Sequence, residues 1–157
     1  MAFLKETEKT LRAYFIIAGA ISTLWAFMSL GGPGKNVPVT TSGLVTLAIW
    51  FPPIARLVLG PAFVIAGVGL KRALENGAPR TLLLVKIAGA VVVAEVLLFT
   101  AAANTAALAA NSAELTGEAV GRAIIPLLIL WYIHSNLRRL ADESRRAIVD
   151  TVARKFD

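Results

Sequence analysis

The sequence has no cysteine and a single histidine, His134. Disulfides and thiolate metal sites are thereby excluded, and a haem held by two histidines would need a second copy of the chain. Charge is scarce as well: 17% of residues are Asp, Glu, Lys or Arg, against about 25% in an ordinary soluble domain. No nucleophile stands beside a base in a recognisable motif, no dinucleotide fingerprint occurs, and no metal-ligating cluster is evident. GPGK at 32–35 misses the phosphate-loop spacing, because Ser29 holds the place of the first glycine and Asn36 follows the lysine. These absences argue against an enzyme and give no reason to expect a cofactor or a metal.

What the chain has instead is apolar surface. It is 57% hydrophobic with a mean hydropathy of +0.70, gathered into four blocks at 13–30, 53–70, 82–103 and 119–137. Each is close to the roughly 20 residues that cross a hydrocarbon core about 30 Å thick. A membrane barrel would need alternating segments of about ten residues, and AYFIIAGAISTLWAFMSL does not alternate. The segment before the first block, MAFLKETEKTLR, mixes two Glu among its bases and no A-x-A site follows the apolar run. We therefore read it as leading into a retained first span rather than a cleaved signal. The expected fold is an all-α integral membrane protein: a four-transmembrane-helix bundle of two helical hairpins over 1–137, then a cytoplasmic amphipathic C-terminal helix over 138–157.

Charge orients this arrangement. Alternation places Lys5, Lys9, Arg12, Lys71, Arg72, Arg80, Lys86, Arg138, Arg139, Arg145, Arg146, Arg154 and Lys155 on one side, and only Lys35, Arg56 and Arg122 on the other. Lys and Arg gather on the cytoplasmic face, so both termini are expected there, in a bacterial or archaeal inner membrane. Topogenesis accounts for the net charge of +6, and nucleic acid is not an expected partner. The basic residues Arg138, Arg139, Arg145, Arg146, Arg154 and Lys155 of the tail are candidates for docking anionic lipid headgroups or a partner.

The tail keeps helical periodicity, with Leu137, Leu140, Ser144, Ile148, Val152 and Phe156 on one stripe. Arg138–Asp142, Asp142–Arg146 and Asp150–Arg154 are i, i+4 pairs on the polar side. The loop 31–43 is rich in Gly and Pro and reads as irregular. LVTLAIWF at 44–51 precedes Pro52 and Pro53, which predicts a short interfacial segment and a new span starting near Pro53. Short similarities, IAGA at 17–20 and 87–90 and LKRALE at 70–75 with LRRLAD at 137–142, are compatible with a duplicated hairpin in which Trp25 takes the place of Glu95.

Small residues spaced by four let membrane helices approach closely. Ala18, Ser22 and Ala26, then Ala62 and Ala66, then Ala90 and Ala94 are the candidate packing stripes. One carboxylate interrupts the third block: Glu95, about 20 Å along its helix at about 1.5 Å per residue. Its helical neighbours Ala88, Val91, Val92, Leu98, Phe99 and Ala102 offer no polar partner. Three readings follow: a protonated carboxyl bonded to a proline-freed carbonyl, Ser22 or Thr23; an ion pair with Arg56 or Arg122; or a proton or cation site. The expected function is accordingly a structural or accessory subunit, associating with other membrane subunits or with itself. The alternative is a small transporter or channel protomer built on Glu95.

Overall fold

The computed structural model describes residues 2–31, 43–104 and 112–153, and every secondary-structure element among them is helical. The elements are α1 (Ala2–Gly31), α2 (Gly43–Val68), α3 (Leu70–Glu75), α4 (Pro79–Ala103) and α5 (Ser112–Ala153). Windows in α1, α2, α4 and α5 are long and apolar enough to cross a membrane: Lys5–Leu30, Gly43–Val68, Pro79–Ala103 and Val120–Ala147. Large apolar side chains lie exposed on all four, including Ile21, Met28, Ile65, Leu97 and Ile125. Helices apolar on their outward as well as inward faces have lipid or further protein as their natural surroundings.

The second apolar block differs from expectation. One helix runs from Gly43 to Val68 straight through Pro52, Pro53 and Pro61, with no break between an interfacial piece and a span. Two adjacent prolines forfeit the helical donors to the Ala48 and Ile49 carbonyls, but the flanking turns still propagate. Pro53 is buried in the packing, and Ala48 borders the cavity described below.

The sharpest turn is a short one. α3 ends in a Schellman motif: the Gly77 N–H donates to the Leu74 carbonyl at 2.9 Å and the Ala78 N–H to the Ala73 carbonyl at 2.7 Å. Gly77 takes φ +76°, a left-handed conformation natural to glycine, and the guanidinium of Arg145 from α5 packs where a side chain would stand. Pro79 then opens α4, where its missing N–H costs nothing.

α1 and α2 are antiparallel and meet through glycine. A Cβ on Gly60 would lie 2.8 Å from the Gly19 carbonyl oxygen, and one on Gly19 would lie 2.6 Å from the Gly60 carbonyl oxygen. Two turns on, Gly67 sits beneath Phe15 and Ile16. The Thr23 hydroxyl donates to the Gly19 carbonyl at 2.8 Å, so it faces the contact without an unpaired proton. α2 packs next on α4, and α4 on α5, while α1 and α5 meet much less. The core gathers at the end that carries α3: Leu11, Phe15, Phe63, Leu70, Leu74, Val85, Ala88, Ile133, Leu137, Leu140 and Ala141. The Phe15 and Phe63 rings lie 5.3 Å apart there.

α5 carries the apolar block and the basic tail without interruption to Ala153. Leu137, Leu140 and Ala141 are buried against α3 and α4, while Arg138, Arg139, Arg145 and Arg146 are exposed. The ion pair among the described residues of the tail is Arg139 with Glu143, at 3.0 Å, in place of the Arg138–Asp142 and Asp142–Arg146 pairs. Arg154, Lys155 and Phe156 lie outside the described residues.

Close backbone approach makes Gly60 the sensitive point of the α1–α2 pair. Gly60→Ala is expected to lower stability by about 1–3 kcal/mol through overpacking, seen as a lower unfolding midpoint in mild detergent. Gly89→Ala, inside α4 where an added Cβ meets nothing within 4 Å, should leave the midpoint unchanged or slightly raised, by helix propensity.

Candidate functional site

Away from the core end the four long helices separate, and a cavity of about 620 Å³ lies among them. Its walls come from α1 (Tyr14, Ala18, Ser22, Trp25), α2 (Pro52, Arg56, Leu59, Phe63), α4 (Ala88, Val92, Glu95, Phe99) and α5 (Glu118, Arg122, Pro126, Leu130). The floor is the aromatic and aliphatic core around Phe63 and Ala88.

Glu95 meets Arg56 on this wall. The Arg56 Nη2 donates to Glu95 Oε2 at 3.0 Å, and the side chains are 36% and 17% exposed, respectively. The same guanidinium lies over the Trp25 ring, its Cζ 4.1 Å from the ring centroid. One cation therefore contacts α1 and α4 from α2. Guanidinium stacked on an indole face is held by the ring quadrupole. Arg offers five N–H donors, and the bond to Glu95 uses one of them. The remainder, with the second carboxylate oxygen, give the wall spare hydrogen-bonding capacity of both signs.

Arg122 does not reach Glu95. It pairs with Glu118, one turn earlier on its own helix, and both are exposed beside the cavity. Thr23 is engaged with Gly19, and Ser22 lines the cavity. Pro126 shares the cavity wall with Glu95, whereas Pro61 is exposed and is not part of it. Among the packing stripes, Ala26 is buried, Ala18, Ser22, Ala62, Ala66 and Ala94 are half-buried, and Ala90 is exposed. Ala90 is thus off the packing face of α4, which runs instead through Thr81, Val85 and Ala88, spaced by four and three residues. His134 is half-buried on α5, and among the described residues no group of three metal-ligating side chains forms.

Sequence reasoning missed three elements of the site: Trp25 as the platform for Arg56, Glu118 as the partner of Arg122, and Gly19, Gly60 and Gly67 as the true seam. The seam did leave a signal, since Gly60 and Gly67 are two turns apart on one face and Gly19 precedes Thr23 by one turn.

The pair makes a double-mutant cycle informative. Arg56→Leu alone strands the carboxylate of Glu95 and should cost about 1–3 kcal/mol, below the full value for breaking a buried pair because Arg56 is partly open. The double variant R56L/E95L should recover most of that loss, and Arg122→Leu, in an exposed i, i+4 pair, should change the unfolding midpoint by less than about 0.5 kcal/mol equivalent. Additive losses at positions 56 and 95 would show that the two side chains are not coupled.

Comparison with family models, with curated proteins and with solved structures returns no match, so the functional reading rests on this geometry alone.

Proposed function

We propose that the chain is a four-span inner-membrane protein, arranged as two helical hairpins with its amino end and its basic tail at the cytoplasmic face, and that it acts as a small carrier of the transporter class. The placement is supported by four helices of sufficient length and apolarity and by the concentration of Lys and Arg at the end that holds α3 and the tail. The exposed Arg138, Arg139, Arg145 and Arg146 would then face anionic headgroups.

The observation that carries the functional reading is the cavity itself, with Arg56 and Glu95 on its wall. Ionisable residues at membrane depth are costly and mark pathways or binding sites. A cavity of this size falls within the usual range of about 300–1,000 Å³ for small-molecule sites, which combine apolar lining with a few placed polar groups. Arg56 and Glu95 would orient a guest, and Tyr14, Leu59, Phe63 and Leu130 would cover its apolar part.

Filling the cavity tests this. Protein isolated from membranes in mild detergent should carry about one small molecule per chain on mass spectrometry of its extract, at the occupancy of a specific site. Ala18→Phe, placed on the wall, should lose it while keeping the unfolding midpoint. Identical extracts from both proteins would remove the carrier reading.

A second reading, a structural or accessory subunit, draws on Gly117 and Gly121. They lie one turn apart on exposed α5, with nothing within 4 Å of an added Cβ, as helix-associating glycines do. It predicts stoichiometric co-purification of a second membrane polypeptide or copy, disrupted by Gly121→Ile. A wild-type chain that runs as a lone monomer in mild detergent would overturn it.

A further inference from the structure

The cavity is polarised along its length. On α2, Arg56 precedes Leu59 and Phe63 by one and two turns. On α5, Glu118 and Arg122 precede Pro126 and Leu130, and on α4 Glu95 follows Val91 and Ala88. Since α1 and α2 are antiparallel and the core joins the ends of α2, α4 and α5 nearest α3, all four charged groups lie at the end away from the core. The apolar lining lies towards it, about 10 Å deeper by helical rise from Arg56 to Phe63. A guest that satisfies both zones is an amphipath with its polar part away from the core and its hydrocarbon directed onto Phe63.

Charge balance narrows the polar part. The wall carries two guanidinium groups, Arg56 and Arg122, and two carboxylates, Glu95 and Glu118, already paired as Arg56–Glu95 and Arg122–Glu118. The paired wall is already neutral, so a guest of one sign, held by the spare donors or the second carboxylate oxygens, would add a charge that nothing on the wall offsets, which is costly where water is scarce. A head carrying both signs can exchange pairs with no surplus: its phosphate takes guanidinium donors, which match phosphate in bidentate geometry, and its ammonium takes a carboxylate. The opening suits entry from the side, because α1 and α5 meet little and their shared buried residues, Leu11, Phe15, Ile133 and Leu137, sit at the core end.

Resting on the carrier reading above, we propose that the guest is a zwitterionic phospholipid of the surrounding membrane, with its phosphate and ammonium at Arg56, Glu95, Glu118 and Arg122 and the head-proximal part of one acyl chain in the apolar half. In the orientation proposed for the chain, its head points to the outer face and its tail to the midplane. That is the polarity of an outer-leaflet lipid, so entry requires no inversion.

The test uses the full chain reconstituted in vesicles of phosphatidylethanolamine and phosphatidylglycerol, equimolar and with identical acyl chains, then released into mild detergent for native mass spectrometry. The expected result is about one retained phosphatidylethanolamine per chain, enriched about tenfold over phosphatidylglycerol, the discrimination of one charge-assisted hydrogen bond. Ala18→Phe should abolish retention, and E95Q should reduce the enrichment to near unity. Val92→Phe repeats the cavity-filling arm should the Ala18 variant fail to fold. Phosphatidylglycerol held equally or better, but displaced by the filled cavity, overturns the zwitterion assignment and leaves the carrier reading standing. Retention of neither lipid by a protein that still yields a displaceable molecule from native membranes has the same consequence. A guest that neither filling variant displaces, in vesicles or from native membranes, overturns both.

Discussion

Arg56 imposes the central constraint. Its guanidinium is a cation embedded in an otherwise apolar helix, and α2 itself supplies no carboxylate. Compensation has to come from other helices, and it comes from two: the carboxylate of Glu95 on α4 and the ring of Trp25 on α1. The glycine seam makes this reach possible. Trp25 lies six residues beyond Gly19, and Arg56 four residues before Gly60, so in antiparallel helices joined at those glycines the indole and guanidinium arrive at one height. Separation of the seam would withdraw the platform from the cation even though neither glycine touches it.

The molecule divides along its length between two ways of holding helices together. At the end bearing α3, large side chains interlock, and Phe15, Leu70, Ile133 and Leu137 are almost wholly enclosed. At the other end the link between α2 and α4 is a long polar side chain, which spans a gap instead of filling it. Arg122 could have provided a second link across that gap, but it turns back to Glu118 on its own helix. The cavity lies beside this single bridge, in the part of the bundle that interlocked side chains do not fill.

Much of this was legible in the sequence, for identifiable reasons. Four apolar blocks became four long helices because block length and composition act locally. Their boundaries moved where a single strong cue was overweighted: Pro52 and Pro53 suggested a start, yet the helix runs through them. The short helix α3 and its Schellman turn were signalled by Gly77 and Pro79 but are too brief to show in an apolar profile. Leu70 and Leu137, equivalent in the two similar basic segments, are both fully buried, so that likeness marks shared packing against one core. Which arginine meets Glu95 was beyond reach, because heights along separate helices do not fix rotation about them. Ala90 failed as a packing residue for the same reason: spacing by four defines a stripe without defining which stripe faces inward.

The partial openness of the Arg56–Glu95 pair bears on what it is for. A pair serving only to lock helices is most effective when packing excludes everything else, since each open donor is one that solvent or lipid competes for. Here the carboxylate is the more covered partner and the guanidinium the more open one, with Trp25 shielding one face of the cation and the cavity on its other side. The anion is held by the protein while part of the cation's donor set remains available. Local departures from best packing of this kind concentrate at functional sites. An arginine fixed by a ring and an acid, yet facing the cavity, fits the proposal that the cavity takes a guest.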